Sequence, residues 1–306
     1  MCRRSSCDSV NHGGVYRNTW AIIDSKKMQP RKFSLAHLTI LDAPPPELIR
    51  IAARAGYDFV GLRLIPLGLP GEPRYEPHED VVMRREIKAA IDETGVRVLD
   101  VELARILEAP APESYLPAFE TAAELGAEHV LSSVWIRDRN QVIERFARLC
   151  DVARPLGLTV NLEFVSSTDW NTLEGALDVV TSCGRDNVGI TIDTLHFHRS
   201  RIPIQQLDRV PASWANFAHV CDDRSGVPAT IEEARRTMRE ERLYPGEGAV
   251  DIAGILGRLP PSVVCAVEVP HVQRLRELGP DLFARTCLER TKRYLGIVGA
   301  VDPVHH

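Results

Sequence analysis

The segment Leu158–Asp193, LTVNLEFVSSTDWNTLEGALDVVTSCGRDNVGITID, holds one full period of the pattern that decides the fold. It opens with a short apolar run, Leu158–Phe164, and closes with another, Val188–Asp193. Short apolar runs bounded by turn residues read as buried strands. Between them, Thr172–Cys183 repeats apolar residues three and four apart, the spacing of an amphipathic helix. Gly184 follows at once, where a left-handed C-cap is expected. Each run also carries one carboxylate near its end, Glu163 and Asp193. A carboxylate at the end of an apolar strand is costly unless something pairs with it.

The same period extends in both directions. Further strand candidates are Phe33–Leu41, Phe59–Leu64, Val96–Val101, His129–Val134, Ala215–Val220 and Val263–Val269. Helical patterns fill the gaps at Pro46–Ala55, Asp80–Thr94, Tyr115–Leu125, Asn140–Pro155 and Ile231–Arg242, and a last one lies near Pro280–Leu295. Gly56, Gly95, Gly126 and Gly157 repeat the cap seen at Gly184. The repeat of about thirty residues is the size of one βα unit. Eight units fill the chain from 31 to 300 as a single (β/α)8 TIM barrel. An open doubly wound sheet would place a glycine-rich phosphate turn after its first strand. Leu41–Pro46 (LDAPPP) offers none.

Residues 1–30 have no clear period and lack the apolar core of a signal peptide. They read as a loose N-terminal extension, with Met28 as an alternative start. The 306 residues are 44% hydrophobic and 26% charged, an ordinary globular mix, with a net charge of −5. That balance offers no basic face for nucleic acid. No apolar stretch reaches membrane-spanning length. The seven cysteines show no CxxC pair and read as reduced thiols of a cytoplasmic protein. Self-association into a homo-oligomer is left open.

In a barrel of this kind the chemistry sits at the C-terminal ends of the strands. Glu163, Asp193, His219 and Glu268 fall there, on strands five to eight. Three oxygen donors and one imidazole make a hard site that suits Mn²⁺ first, with Mg²⁺, Co²⁺ or Zn²⁺ as alternatives. His196, three residues after Asp193, is placed for proton handling beside the cation, or for bonding to one of its ligands. Glu102, near the end of strand three, either bonds substrate hydroxyls or pairs with Arg63 or Arg105. Asp222 either orients a ligand or binds substrate. Arg224 either binds a substrate oxygen or is an exposed loop residue. The apolar loop Ile65–Pro73 (IPLGLPGEP) is a candidate lid that meets substrate or packs on its own barrel. Trp135 and Trp170 follow strands near the mouth and either stack on a sugar face or join the core.

Three motifs carry a family resemblance, of which the first and the last are fairly specific to a superfamily but not to one reaction. Asp193-Thr-Leu-His196 with Arg199 resembles the DxxHxxR signature of the xylose isomerase-like TIM barrels. His219-Val-Cys-Asp222 is similar to their HxxD motif, and Pro245-Gly-Glu-Gly-Ala-Val-Asp251 to their PGxGxxD stretch. The resemblance covers about residues 33–296. It implies that Glu163, Asp193, His219 and Glu268 ligate a divalent metal and that His196 stands beside it. It also implies a sugar or polyol substrate. The superfamily includes sugar isomerases, ketose 3-epimerases, inosose dehydratases and dehydroshikimate dehydratases.

The chain departs from each subfamily. Val165 and Cys221 stand where dehydroshikimate dehydratases carry histidine and lysine, and Asp169 and Ser225 where ketose 3-epimerases carry glutamate and arginine. Apurinic endonucleases share the barrel but use further histidines on strands two and three, whose ends here are Arg63 and Glu102. The expected function is therefore a metal-dependent isomerase or epimerase that works through an enediolate. Glu163 and Glu268 are the candidate bases. The alternatives are a dehydratase of a keto-polyol such as an inosose, and a metal-binding subunit with no activity of its own.

Overall fold

The computed structural model describes residues 31–224 and 226–297. The expected extension at 1–30, the last three residues of the expected barrel span and Ser225 lie outside the described residues. Eight parallel strands close into a barrel in sequential order. They are β1 (Phe33–Leu35), β2 (Phe59–Arg63), β3 (Arg97–Ile106), β4 (His129–Val134), β5 (Thr159–Glu163), β6 (Val188–Asp193), β7 (Phe217–Val220) and β8 (Val264–Val267). Closure comes from β1 lying against β8, with Leu35 opposite Val267.

Ten α-helices surround the strands in the described residues. In chain order they are α1 (Pro45–Ala55), α2 (Val81–Thr94), α3 (Leu116–Glu124), α4 (Arg139–Ala153), α5 (Leu173–Ser182), α6 (Thr194–Arg199), α7 (Ile231–Glu240), α8 (Ile252–Gly257), α9 (Val272–Leu278) and α10 (Pro280–Tyr294). Their starts follow local chemistry. Asp80, Asp138 and Thr172 accept backbone N–H groups as N-caps of α2, α4 and α5. Gly56 closes α1 at φ 89°, and its N–H reaches the carbonyls of Ala52 and Ala53. No described helix is long and apolar enough to cross a membrane.

The apolar side chains divide into two layers. Phe59, Leu99, Leu131, Phe217, Val264 and Ala266 pack together as one cluster, drawn from five strands. A much larger shell joins the strands to the helices and includes Leu48, Phe119, Phe146 and Phe283, all fully buried. Along β3, Val98 joins the shell and Leu99 the smaller cluster, the alternation that a strand imposes.

Several boundaries differ from the sequence expectation, and β3 runs past the expected Val101 to Ile106, so that Glu102 lies within the strand rather than near its end. β1 stops at Leu35, and His37–Ile40 form a 3₁₀ turn. Side chains take over its ladder: Thr39 Oγ1 donates to the Val267 carbonyl and accepts the Val269 N–H, each at 3.0 Å. The helix expected over 231–242 ends at Glu240, and the chain then leaves the helical conformation at Glu241. Leu243 bridges antiparallel to Asp222, and the Arg242 N–H bonds the Pro270 carbonyl. That early ending turns Arg242 from a helix residue into a residue of the barrel mouth.

Candidate active site

Strand register brings the four expected ligands to one end of the barrel. Asp193, the last residue of β6, pairs directly with His219 of β7. Glu163 ends β5, and Glu268 follows β8 by one residue. His219 is the hub. Its Nδ1 lies 3.0 Å from Glu163 Oε1, 3.4 Å from Glu268 Oε2 and 3.9 Å from Asp193 Oδ2. Glu163, Asp193 and His219 can offer ligand atoms that all lie within 4.8 Å of one another, a grouping fit for a metal ion. All four residues are buried.

A fifth buried group enters from above. Arg242 is 2% exposed. Its Nη1 donates to Asp193 Oδ2 at 2.8 Å and stands 2.9 Å from Glu268 Oε2. Asp193 divides its two oxygens between tasks. Oδ1 caps α6 by accepting the Leu195 and His196 N–H groups, and Oδ2 faces Arg242. The sequence pattern carried one signal for Arg242, its place three residues before Pro245 in the glycine stretch. The helical period ran through it and hid that signal.

Burial sets the electrostatics. It raises the Glu163 carboxyl to about 7, and the His219 and Asp193 charges then modify that. Burial raises Glu268 as well. Burial works in the same direction on Asp193, but Arg242 and the nearby imidazoles hold it below the carboxylate range. Burial opposes a charge on His219, yet Glu268, Glu163 and Asp193 pull its pKa well above the ordinary value. Three carboxylates face one guanidinium, so two negative charges remain to be offset once His219 is neutral. A divalent cation supplies that charge, and neutral imidazole with ionised carboxylates is the protonation state that metal ligation needs. The donor set thus fits such an ion in both charge and hardness.

The cavity over this cluster encloses about 60 Å³, room for a few waters, and is lined by Arg63, Glu102, Trp135, Glu163, His196 and Glu268 among others. His196 holds its ring in place through Ser166, whose N–H donates to Nδ1 at 3.2 Å. Nδ1 is then an acceptor, and Nε2–H is the donor left to the ring. Burial lowers its pKa to about 4, with Asp193 pulling the other way, so the imidazole is neutral near pH 7. Glu102 pairs with Arg63 rather than Arg105, at 3.0 Å. Its Oε1 is buried without a hydrogen-bond partner among the described residues, as is Arg63 Nε.

Other expectations resolve differently. Asp222 is not part of the central cavity wall. Its two oxygens accept the N–H groups of Asp223, Gly246, Gly248 and Val250, so the carboxylate is consumed in holding the Pro245–Asp251 stretch. Arg224 is exposed, and the central cavity wall does not include it. Arg199 is structural: it grips Asp223 at 2.6 and 3.1 Å and bonds Thr237 of α7. Trp135 faces the cavity, while Trp170 packs on the core with its Nε1 on the Ile136 carbonyl. In the candidate lid, Leu67 lines the cavity, and Arg105 holds its carbonyl at 2.7 Å.

Comparison with known proteins agrees with this fold. Residues 49–281 match the family described as xylose isomerase-like TIM barrel, and the chain belongs to that family. It is 31% identical over 150 residues to an inosose isomerase of Bacillus velezensis, across 46% of this chain and 51% of that protein. It is 24% identical over 203 residues to an L-ribulose 3-epimerase of Mesorhizobium japonicum, across 65% and 63% of the two chains. The matched part is thus about half to two thirds of the length of these relatives. The IOLI protein, solved with a bound zinc atom, shares the fold with a TM-score of 0.73 at 18% identity, over 88% of this chain and all of that one.

Proposed function

We propose that the protein is a divalent-metal-dependent isomerase or epimerase of a sugar or related polyhydroxy carbonyl compound. The observation that carries this reading is the convergence of Glu163, Asp193 and Glu268 on His219, with two negative charges more than Arg242 offsets. Glu163, Asp193, His219 and Glu268 would hold the ion, with Mn²⁺ as the first choice. When bound, it supplies Lewis-acid polarisation of a substrate carbonyl.

The chain's own residues account for the rest. Glu163, with its carboxyl raised to about 7 by burial, and Glu268, raised in the same way, are the candidates to take and return the α-proton. Both line the cavity. His196 Nε2–H is a neutral donor for a substrate oxygen. Glu102 Oε1, buried and without a partner among the described residues, suits a substrate hydroxyl. Leu67 and Trp135 restrict water at the mouth. Return of the proton to the opposite face gives epimerisation, and return to the neighbouring carbon gives isomerisation. Asp222 and Arg224 are left out of the substrate-binding set.

The relatives support substrates of the inosose and ketose type. The five described cysteines, all free and buried, support a cytoplasmic setting. A dehydratase shares the first proton abstraction and differs in expelling a β-hydroxyl. The test is incubation with Mn²⁺ and an inosose or L-ribulose in D₂O. Deuterium at the carbon beside the carbonyl, with an isomeric product, is the expected result. A dehydrated product would transfer the reading to a lyase, and no exchange with any ketose or inosose would remove it in favour of a metal-binding subunit.

A further inference from the structure

Arg239 of α7 is the one arginine lining the central cavity whose charge is met by no partner among the described residues. Arg63 is divided between Glu102 at 3.0 Å and Glu72 at 3.6 Å, and Arg242 between Asp193 and Glu268. Arg239 has no ion pair or hydrogen bond within those residues, although it is half-buried. Its strongest charged neighbours are mostly like-charged: Arg63, Arg235 and Arg105 repel it, and Glu72 opposes them. Burial comes first among the causes that depress its pKa, with these arginines adding to it.

Its position gives that charge a direction. Arg239 lines the central cavity together with Glu163, His196 and Glu268. It also lines two wider cavities of about 320 and 470 Å³ that share walls with the first. It therefore stands where the inner site meets the outer ones. The helix turn that carries it is fixed from both sides. Thr237 is bonded by Arg199, and the Met238 carbonyl accepts Arg242 Nε at 2.7 Å. Arg242 is the residue that touches Asp193 and Glu268, so the helix turn that carries Arg239 is tied to the acidic cluster.

An uncompensated guanidinium in a partly dry cavity favours a ligand that brings negative charge. Its planar fork matches two oxygens of a carboxylate or phosphate. We propose that Arg239 determines specificity by binding an anionic group, a carboxylate or a phosphate ester, that the substrate carries away from its carbonyl. This rests on reading the inner cavity as the site of a polyhydroxy carbonyl compound. The site is then polar along its length: the carbonyl end lies at the acidic cluster, and the anionic end lies at the rim beside Arg239, Arg63 and Arg105. Such a gradient orients the substrate before chemistry.

The test measures binding by calorimetry to the full chain with Mn²⁺. The probes are D-fructose, D-fructose 6-phosphate, 5-keto-D-gluconate and inorganic phosphate. The wild type should bind at least one of the two anionic ketoses about tenfold more tightly than fructose. Arg239→Gln should weaken that ketose by about tenfold to a hundredfold, the loss typical of a charge-assisted bond, and leave fructose nearly unchanged. Arg239→Lys should recover part of the loss and serves as the second variant if Arg239→Gln does not fold. Which ketose loses more identifies carboxylate or phosphate, and phosphate alone should compete with it. Equal affinity of the wild type for charged and neutral ketoses, or equal weakening of all probes in Arg239→Gln, would overturn the proposal. A charge preference without any solvent proton exchange would instead overturn the isomerase reading and leave the anion site standing.

Discussion

Arg242 and Asp193 are 49 positions apart in the chain and 2.8 Å apart in the barrel mouth, both fully buried. The pair links the end of β6 to the segment after α7, and its second contact reaches Glu268. Removing one member of a buried ion pair typically costs about 3–5 kcal/mol, because the other charge is left uncompensated. Arg242→Leu should therefore destabilise the protein by about that amount. Divalent metal should recover more of the loss in the variant than it adds to the wild type, because the three carboxylates then depend on the ion alone. Thermal unfolding with Mn²⁺ and with chelator checks both. A variant with wild-type stability in chelator would show that the pair carries no such weight.

The cluster itself predicts a shared dependence. Glu163→Gln, Asp193→Asn, His219→Gln and Glu268→Gln each remove one donor from a group gathered on a single imidazole. Each should lower bound Mn²⁺ by at least tenfold in titrations followed by elemental analysis. His196→Gln should keep the metal and lose turnover, since its ring Nδ1 is engaged by Ser166 rather than by the cluster. Unchanged stoichiometry in two of the four donor variants would put the metal elsewhere.

How much of this was legible in the sequence follows from which interactions are local. The βα period, the glycine caps and the four strand-end candidate ligands are visible because each depends on a few neighbouring residues. Asp80 and Thr172 even mark helix starts to within one residue. Arg242 was not legible. Its inward turn depends on Leu243 meeting Asp222 and on the Pro270 carbonyl, which lie about twenty and thirty residues away in sequence. Arg239 was hidden for a related reason: on a helix rich in arginine, only tertiary packing tells which guanidinium finds a partner. Asp222 shows the converse. Its motif placed it correctly beside the site, but the loop backbone, not a ligand, takes both its oxygens.

That clamp yields its own prediction. A carboxylate accepting several buried N–H groups contributes about 1.5–3 kcal/mol for each bond to the charge, and the contributions do not add fully. Asp222→Ala should lower stability by roughly 3 kcal/mol, because the Gly246, Gly248 and Val250 donors lose their acceptor. Gly248→Ala should be comparably harmful, since a Cβ there would sit 2.1 Å from the Asp223 carbonyl oxygen and 2.4 Å from Asp222 Oδ1. Urea unfolding measures both. A stable Asp222→Ala protein with only a raised KM would return Asp222 to the substrate-binding set.

The last prediction concerns acid. His37 is fully buried at the top of β1; its Nδ1 accepts the Arg63 N–H at 2.8 Å, and its Nε2 faces the Ala43 carbonyl at 2.9 Å. The ring stacks on Tyr75, with Glu102 and Arg63 as its charged neighbours. Burial lowers its pKa from 6.5 to about 4, with the Ala43 bond and Glu102 pulling the other way. The unfolded chain therefore binds a proton at this site between pH 6.5 and 4 while the folded chain does not. Stability should fall as pH drops through that window and level off below it, by at most about 3 kcal/mol from this residue. His129, lowered to about 4 by burial, adds in the same sense. His37→Gln removes the titration and keeps an acceptor for the Arg63 N–H. It should flatten the pH dependence of the urea midpoint between 6.5 and 4 relative to the wild type. An unchanged slope would mean that His37 takes up its proton in the folded state as readily as in the unfolded chain.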